Sequence, residues 1–390
     1  MTDQHDIPPL QIASVEALVF RAPVVEPVQT SFGIMYDRPA VLVRIEDRDG
    51  QVGWGEIWSN FPSVGAEHRA RVLESCVAPI LLERAWNSPA EAFEEMTERL
   101  RVLAIQTGEP GTMAQAIAGA EIALWDLAGK LAGQPLWKLF GGSANVPVYA
   151  SGLSPTAPEK LAAARRREGY TAFKLKVGFG VERDIDNLLA LRALLGPDTP
   201  LMVDANQAWT LQQAREMSTR MAEFQLTWLE EPMAADSPAQ DWRALADASP
   251  IALAGGENLR GEQAFSAAID GGAFRVIQPD LGKWGGFSGC LPVGRQAVDA
   301  GLMFCPHWLG GGVGLIASMH LKAAAGGPGW VEVDSNPNPL RDVLAACPPV
   351  HDGKVELSER PGLGIEPDLA AALRFLVPHW YTANTGSKAA

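Results

Sequence analysis

The sequence predicts a parallel β/α barrel that follows a smaller α+β domain. Apolar, strand-like runs alternate with helix-like stretches between Val146 and Asp334, and eight such runs are present. Eight strands alternating with helices are typical of a parallel β/α barrel. Each run ends in an ionisable or polar residue, and the residues at the carboxyl ends of such strands face a single mouth. The fold class therefore also predicts where a site would lie.

The N-terminal part of the chain has the pattern of a small antiparallel sheet with helices. Polar and apolar residues alternate as in strands over 15–22, 40–47 and 51–57. Apolar residues recur at helical spacing from Thr112 to about Leu131. The Gly-, Pro- and Ser-rich stretches 23–39 and 58–65 are predicted to be mobile loops. Residues 1–140 are therefore assigned to an α+β domain.

The barrel domain is predicted to span residues 146–350. Two glycines at 141–142 end a helix, and a strand begins at about Val146. Helix-like stretches separate most of the strands, and they cover 159–168, 182–195, 210–223, 261–270 and 287–300. Residues 351–390 return to Gly- and Pro-rich loops with a short helix, and the end of this segment, ANTGSKAA, is expected to fray.

The composition favours small-molecule chemistry. A net charge of −14 opposes binding to nucleic acid or to an anionic membrane, because phosphates would be repelled over the whole surface. The four cysteines are widely spaced and form no CxxC, so neither a zinc site nor a disulfide framework is indicated. No N-terminal signal pattern and no apolar run of about 18 residues is present. We therefore expect a cytoplasmic protein.

Two lysines interrupt an otherwise apolar strand, TAFKLKV, at 171–177. Successive side chains of a strand point to opposite faces, so Lys174 and Lys176 share one face and the apolar residues share the other. An exposed edge strand whose lysines discourage pairing would have the same pattern. In a barrel strand, by contrast, the lysine face would point into the central cavity.

Seven strand-end residues are separated by 23 to 28 residues, which is one β/α repeat: Lys176, Asp204, Glu230, Glu257, Asp280, His307 and Glu332. Asp204, Glu230 and Glu257 would repel one another unless a divalent cation lay between them, and an all-oxygen set favours Mg²⁺. Glu231 is an alternative to Glu230, because both precede Pro232 and the spacing favours Glu230 only mildly. Each residue taken alone could instead cap a helix or face solvent.

Lys176 and His307 are the candidate bases, on strands at different sides of the three carboxylates. The like charge of Lys174 and burial should lower the pKa of Lys176 towards neutrality. Asp280 lies one repeat before His307, and it could orient the imidazole and raise its basicity. Lys174 could in addition contact a substrate carboxylate.

These motifs make the sequence similar to the enolase superfamily and, within it, to the mandelate racemase subgroup. The matching motifs are KLK (174–176), VDAN (203–206), EEP (230–232), GGEN (255–258), QPDLGKWGG (278–286), PHW (306–308), VEVD (331–334) and RPGLGIE (360–366). They occur in order with the family's spacing, and the likeness covers nearly the whole chain. The resemblance implies a modified (β/α)7β barrel of the TIM type. Its N-terminal α+β capping domain would be completed by the C-terminal segment 351–390.

The resemblance also implies roles for individual residues. The implied ligands of one Mg²⁺ per subunit are Asp204, Glu230 and Glu257, and the implied bases are Lys176 and His307 with Asp280. The implied substrate contacts are Lys174, Asn206 and Glu332, with Glu332 hydrogen-bonding the reacting carboxylate, while Lys283 matches a family lysine without a defined role. Capping loops at 25–38 and 57–66 would cover the mouth, which makes Tyr36, Asp37 and Trp58 candidates for specificity or for packing.

The implied reaction is abstraction of the proton α to a carboxylate, with Mg²⁺ stabilising the enediolate. Positive charge and hydrogen bonds at the carboxylate oxygens would stabilise the charge that develops there. A hydroxylated acid, in the first place a sugar acid, would then lose water. The same arrangement of two bases is compatible with two other reactions. These are racemisation or epimerisation, and cycloisomerisation of a sugar-acid lactone. The stretches NPNPLRD (336–342) and RPGLGIE resemble the galactarolactone cycloisomerases.

Two other classes of function are less consistent with the sequence. A noncatalytic binder of sugar acids would keep the metal ligands and lose a base, whereas both bases are present. A Schiff-base aldolase built on Lys176 would not need three carboxylates facing it. The expected partner is a small-molecule carboxylate, with neither nucleic acid nor membrane, and we expect a homo-oligomer.

Overall fold

The computed structural model describes residues 7–31 and 33–378. Its N-terminal sheet has three antiparallel strands in the order β1 (Ile12–Gln29), β2 (Ile34–Asp47) and β3 (Val52–Ile57). The first two form one long hairpin whose last pair is Gln29 with Ile34. The stretch 23–39, for which the composition predicts a mobile loop, is therefore mostly strand. Cross-strand pairing resumes after a register shift between Pro23 and Val28, so the prolines do not end the hairpin.

The helices of this domain are α1 (Gly65–Val72), α2 (Ala78–Leu82), α3 (Pro89–Thr107), α4 (Pro110–Leu131) and α5 (Leu136–Leu139), with a π-helical turn at Leu73–Val77. Helix α4 confirms the helix predicted for 112–131, and it is buried along most of its length. It packs on β3, and Trp125 Nε1 donates to Ser288 Oγ of the following domain at 3.0 Å. This helix therefore joins the two domains.

Eight parallel strands and seven intervening helices form the barrel in the described part of the chain. The strands are β4 (Asn145–Leu153), β5 (Phe173–Lys176), β6 (Leu201–Asp204), β7 (Leu229–Glu230), β8 (Leu253–Gly255), β9 (Phe274–Ile277), β10 (Met303–Phe304) and β11 (Val331–Asp334). The helices are α6 (Pro158–Arg167), α7 (Val181–Leu195), α8 (Leu211–Met221), α9 (Ala239–Ala248), α10 (Glu262–Asp270), α11 (Gly286–Asp299) and α12 (Gly312–Ala325). A 3₁₀ turn at Ala222–Phe224 follows α8. This is the predicted (β/α)7β order.

The strands curl so that the last one returns to the first. The sheet order is β10-β9-β8-β7-β6-β5-β4-β11. No ladder joins β10 to β11 among the described residues, but backbone bonds run from Phe304 N to Pro328 O (3.0 Å) and from Glu332 N to Pro306 O (3.5 Å). A cluster of buried side chains from the strands includes Tyr149, Met202, Trp228, Ala254, Val276 and Cys305. The polar strand ends are left to form the mouth.

The C-terminal segment contacts both domains. Helix α13 (Pro339–Leu344) precedes this segment, which contains β12 (Lys354–Glu356), α14 (Leu369–Ala372) and a 3₁₀ turn at Leu373–Phe375. Strand β12 pairs with β4, and further on Leu363 N donates to Asp126 and Val377 N donates to Val19 O. The predicted fraying falls on residues outside the described part of the chain. Within residues 7–31 and 33–378, no helix is both long and apolar enough to span a bilayer.

Candidate active site

The predicted strand-end residues lie together at one mouth of the barrel. Backbone pairing places Lys176 beside Asp204, and Asp204 beside Glu230, on consecutive strands. A continuous set of ion pairs then links side chains from β5 round to β11. It connects Lys174, Lys176, Asp204, Glu230, Glu257, Asp280, Lys283, His307 and Glu332. The structure therefore brings nine of the predicted site residues into one cluster.

The two lysines of β5 point into this cluster. Lys174 is fully buried, and its Nζ lies 2.5 Å from Glu230 Oε1 and 3.0 Å from Glu332 Oε1. Lys176 Nζ lies 2.5 Å from Asp204 Oδ2. An exposed edge strand is excluded, because β5 pairs with β4 on one side and with β6 on the other.

The expectation that the pKa of Lys176 is lowered is wrong for this arrangement. Burial is the largest influence and acts to lower it, and Lys174 acts in the same direction, but the Asp204, Glu332 and Glu230 carboxylates together outweigh them and the pKa is raised. A nearby like charge lowers the pKa of a lysine only where no carboxylate compensates for it. The sequence pattern shows the neighbouring lysine, whereas the Asp204 pair depends on the register between β5 and β6.

Glu230 and Glu231, the alternatives for the third metal ligand, have different partners. The Glu230 carboxylate accepts hydrogen bonds from Lys174 Nζ and from Gln278 Nε2 at 2.6 Å. Glu231, at a φ of 37°, accepts from Asn258 Nδ2 at 2.9 Å. Burial raises the pKa of Glu230 to about 7 and the pKa of Glu231 to about 8. Both carboxylates are buried beside the other acidic groups, so the choice of Glu230 stays a prediction.

Glu257 lies between a lysine and the histidine. Its Oε1 is 2.7 Å from Lys283 Nζ, and its Oε2 is 2.7 Å from His307 Nε2. Burial favours the protonated form, but these two cations hold the pKa of Glu257 well below its usual range. The carboxylate is therefore ionised, as a metal ligand must be.

His307 and Asp280 form the dyad that the sequence predicts. His307 Nδ1 lies 2.7 Å from Asp280 Oδ2, and Asp280 Oδ1 accepts two backbone N–H groups of its own loop at 2.9 and 3.0 Å. The imidazole Nε2 is then directed towards Glu257. Burial acts to lower the pKa of His307, but Glu257 and Glu332 raise it well above its ordinary value.

Glu332 and Asn206, two expected substrate contacts, also lie at the mouth. Glu332 accepts hydrogen bonds from Ser151 Oγ and from Trp308 N at 3.3 Å. As it stands, Glu332 is an acceptor, so it would donate to a substrate carboxylate only when protonated. Asn206 Nδ2 lies 3.2 Å from Asp204 Oδ2, and Asn206 itself has a φ of 45°.

The charges at the mouth fit a divalent cation. Six carboxylates and four basic groups lie there, which leaves two negative charges when all are ionised: Asp204, Glu230, Glu231, Glu257, Asp280 and Glu332 against Lys174, Lys176, Lys283 and His307. Among the described residues, no group of three or more His, Cys, Asp or Glu side chains is already arranged to hold a metal ion. Asp204, Glu230 and Glu257 are each turned to a basic partner instead. Their oxygens are nevertheless the ligands that Mg²⁺ prefers.

A cavity of about 70 Å³ adjoins the cluster and is lined by Lys176, His307 and Glu332. The tip of the β1–β2 hairpin closes over it, where Ser31 Oγ donates to Asn206 O at 2.6 Å. A larger cavity of about 510 Å³ lies elsewhere, lined largely by apolar residues around α9 and α10. That cavity contains neither candidate base, so the site is placed at the mouth.

The three specificity candidates of the capping domain have different surroundings. Tyr36 is 70% exposed and is not among the described residues that line the small cavity, so its predicted contact with substrate is not supported. Asp37 pairs with Arg21 at 2.9 Å. Trp58 alone approaches the cluster, with Lys283 Nζ at 4.6 Å from the centre of its ring. Alternation along β2 turns Tyr36 outwards, which sequence position alone does not reveal.

Several polar residues of the cavity were not predicted from the sequence. Gln29, Thr30, Ser151, Ser154 and Asn336 line it. The sequence could have identified Ser151 as a residue of the mouth, because it ends the strand-like run VPVYAS, one repeat before Lys176. Gln29 and Thr30 lie in the stretch 25–38 that the resemblance places over the mouth, but nothing in the sequence singles them out from their neighbours in that stretch.

Comparison with family models covers both domains. Residues 14–141 match the N-terminal domain of the mandelate racemase and muconate lactonizing enzyme family, and residues 157–372 match the enolase C-terminal domain-like family. Together these models describe most of the chain.

Individual relatives agree with these matches. The chain is 34% identical to D-galactarolactone cycloisomerase of Agrobacterium fabrum over 89% of its length and 94% of that protein. It is 31% identical to arabinonate dehydratase of Saccharolobus solfataricus, covering 83% of this chain and 87% of the relative. A crystal structure described as mandelate racemase/muconate lactonizing enzyme from Bordetella bronchiseptica is 55% identical, with a TM-score of 0.88 over 94% of this chain and 99% of that one. A racemase from Streptomyces coelicolor with bound magnesium is 31% identical, with a TM-score of 0.84 over 94% of this chain and 100% of that one. The chain therefore belongs to the enolase superfamily, in its mandelate racemase group.

Proposed function

We propose that this protein dehydrates a sugar acid with one Mg²⁺ bound through Asp204, Glu230 and Glu257. Lys176 takes the proton α to the carboxylate, and His307 assists departure of the β-hydroxyl group. The observation that carries this proposal is the small cavity that Lys176 and His307 line together, from β5 and from the loop after β10. In this proposal the two bases act on one substrate, Lys176 from the end of β5 and His307 from the loop after β10.

The proposed reaction balances without a further reactant. The α C–H bond breaks, and its proton passes to the neutral amine of Lys176. That form requires Asp204, which raises the Lys176 pKa when paired with it, to be engaged as a metal ligand instead. The electron pair first moves onto the carboxylate oxygens to give an enediolate. It then returns to form the Cα–Cβ double bond as the β C–O bond breaks, and the leaving hydroxide takes a proton from His307 and departs as water. The resulting enol becomes a 2-keto-3-deoxy acid when a proton returns to the β carbon.

The substrate carboxylate needs stabilisation as negative charge develops on it. The metal ion, when bound, supplies Lewis-acid stabilisation of these oxygens. Lys174 supplies a fixed, fully buried ammonium group whose nearest partners are Glu230 and Glu332. Asp280 keeps His307 Nδ1 engaged at 2.7 Å, so that Nε2 is the nitrogen that exchanges protons.

The lining of the cavity supports a polyhydroxylated substrate. Hydroxyl and amide groups of Thr30, Ser151, Ser154 and Asn336 face it, and none of its described lining residues is Phe, Tyr or Trp. Asp334, on the same wall, is paired with Arg38 at 2.7 Å. Such a wall offers hydrogen bonds to sugar hydroxyls and little surface for an aromatic ring.

Cycloisomerisation of a sugar-acid lactone is the second candidate. Two relatives favour it: the Agrobacterium enzyme above, and 3,6-anhydro-alpha-L-galactonate cycloisomerase of Streptomyces coelicolor, which is 32% identical over 89% of this chain. The same proton abstraction would then expel the ring oxygen in place of hydroxide. Racemisation or epimerisation would require only return of the proton to the opposite face.

Product mass distinguishes these reactions. A library of sugar acids and their lactones would be incubated with the Mg²⁺-loaded protein in D₂O for proton NMR and, in parallel, in H₂O for mass spectrometry, so that deuterium uptake does not alter the product mass. Dehydration predicts loss of the elements of water and a keto product that reacts with semicarbazide. A product of unchanged mass from the best substrate would reject dehydration and favour isomerisation. Loss of activity on chelation, with recovery on adding Mg²⁺, is expected in either case.

A further inference from the structure

Two buried glutamates of the capping domain bind the N-termini of neighbouring barrel helices. Glu56, in β3, accepts hydrogen bonds from Gly311 N at 2.5 Å and Gly314 N at 2.9 Å, where α12 begins. Glu121, in α4, accepts from Phe287 N at 2.8 Å and Ser288 N at 2.7 Å, where α11 begins. The first N–H groups of a helix lack partners within the helix, and they favour a negative charge.

These two helix starts are the ends of the loops that carry the dyad. Asp280 lies on the loop from β9 to α11, and His307 lies on the loop from β10 to α12. Each loop is fixed at one end by its strand and at the other by a capping-domain glutamate. Lys176 differs, because it is the last residue of β5, a strand that pairs with β4 on one side and with β6 on the other.

Further contacts tie the same loops to the capping domain. Trp58 N donates to Gly282 O at 3.4 Å, beside Asp280. Asn60 Nδ2 donates to Leu309 O at 2.5 Å, two residues beyond His307. The capping domain therefore holds both loops at more than one point.

The glutamates fit their helix ends with no spare room. A Cβ atom added at Gly311 would lie 2.5 Å from Glu56 Oε1, and one added at Gly286 would lie 1.8 Å from Glu121 Oε2. Glycine at these two positions lets the carboxylates approach the backbone closely.

We propose that Glu56 and Glu121 are positioning residues that set the geometry of the Asp280–His307 dyad from the capping domain. They act through the loop backbones and do not touch the substrate. The kinetic part of this inference rests on the proposed function. A misplacement of about 1 Å can cost about a hundredfold in rate, so a small shift of either loop would be measurable.

The kinetic experiment compares the two bases within one protein. Exchange of the α-proton with D₂O would be measured on acids of both α configurations, since Lys176 and His307 each serve one of them. Glu56→Gln and Glu121→Gln should slow exchange of the His307-served configuration about tenfold to a hundredfold, by loss of alignment. Exchange through Lys176 should stay within about twofold. Equal slowing of both configurations would overturn the proposal.

Asp126→Asn is the matched control. Asp126 is another buried carboxylate of α4, and it accepts from Trp54 N at 2.8 Å and Leu363 N at 2.6 Å. It also pairs with Lys130 Nζ of α4 at 3.0 Å, and none of its partners in β3, α4 or the C-terminal segment is a candidate catalytic residue. The control should leave the ratio of the two exchange rates unchanged. If Asp126→Asn changes that ratio as much as Glu56→Gln does, Glu56 and Glu121 act only by stabilising the fold, and the proposal is wrong.

A spectroscopic readout separates failure of this inference from failure of the proposed function. The Nδ1 proton shared by His307 and Asp280 should give a low-field proton NMR signal that is absent in His307→Asn. Glu56→Gln should shift or broaden this signal and Asp126→Asn should not, even if no acid exchanges its proton. If Glu56→Gln fails to fold, Gly311→Ala can be used in its place. This variant displaces the Glu56 carboxylate without changing any charge, and it should shift or broaden the same signal. An unchanged signal in a folded Gly311→Ala or Glu56→Gln protein would contradict the proposal.

Discussion

The two sides of the barrel mouth hold their candidate bases in different ways. On one side, Lys176 belongs to a strand whose register also fixes Asp204 and, through it, Glu230. On the other side, β10 ends at Phe304, and His307 lies beyond it on a loop. The start of that loop is bonded to the barrel, where His307 N donates to Pro279 O at 3.1 Å, and its later part contacts the capping domain through Asn60 and Glu56.

This difference shows that one active site can depend on two sources of order. The lysine side depends on backbone pairing within the barrel, which would place it in any barrel of the same register. We infer that the histidine side depends in addition on how the two domains pack. Changes in the barrel should therefore affect both sides, whereas changes in the capping domain should affect mainly the histidine side.

The largest expected effect comes from removing one base at a time. Lys176→Ala and His307→Asn should each slow α-proton exchange about 10²- to 10⁴-fold for one α configuration, because a positioned general base contributes that much. The other configuration serves as the internal control in each case. NMR in D₂O measures both rates. Full exchange by Lys176→Ala with every reactive acid would remove Lys176 from the mechanism.

The second effect is a change of protein stability with pH. It arises from Glu56 and Glu121, the glutamates that contact the loops of the Asp280–His307 dyad. Burial raises the pKa of Glu56 and the pKa of Glu121 to about 7 from 4.5, although backbone N–H donors act to lower them. Because the folded pKa exceeds the unfolded one, the stability that each group contributes is fully present below about pH 4.5 and is lost as the pH rises through 7.

Glutamine does not titrate, so comparing Glu56→Gln or Glu121→Gln with the wild type isolates the change in stability that comes from ionisation of that glutamate. The free energy of unfolding of the wild type should fall relative to Glu56→Gln by about 3 kcal/mol between pH 4.5 and pH 8. Glu121→Gln should behave alike, and the double variant should show about twice the change. Urea unfolding followed by circular dichroism at several pH values measures it. A difference that does not vary with pH would show that neither group titrates in this range.

The metal ligands test the strand side. Glu230→Gln should weaken Mg²⁺ binding about tenfold more than Glu231→Gln does, because loss of a direct ligand should exceed loss of an outer partner. Titration calorimetry with MgCl₂ gives both affinities. Equal losses, or a larger loss for Glu231→Gln, would transfer the ligand role to Glu231.

The smallest expected effects lie in the capping domain, away from the glutamates. Trp58→Phe should raise KM about two- to fivefold, because contact between an ammonium group and an indole ring is worth about 0.5–1 kcal/mol. Tyr36→Phe should leave both kcat and KM unchanged, because the side chain is largely exposed. Steady-state kinetics on the best substrate distinguish them. A change in KM for Tyr36→Phe would restore its predicted role in specificity.

The sequence predicts the strand side of the site better than the rest. Alternation places Lys174 and Lys176 on one face, and the constant repeat places the carboxylates around one mouth. The same pattern gives the wrong direction for the pKa of Lys176, because its contact with Asp204 is a matter of register. Glu56 and Glu121 cannot be found this way, since their partners are backbone groups more than 150 residues away. The stretch 25–38 is expected over the mouth from the resemblance, but which of its side chains line the cavity depends on the packing of the hairpin on the barrel.

The close fit between capping glutamates and barrel glycines has a consequence for protein engineering. Glu56 meets Gly311, and Glu121 meets Gly286, at distances that leave no room for a larger residue at either glycine. A chimera that joins this barrel to the capping domain of a relative must therefore inherit both glutamates together with a backbone that presents them at the same depth. Exchange of capping domains to change substrate preference would otherwise give a folded barrel that keeps its lysine chemistry and has lost the alignment of its histidine.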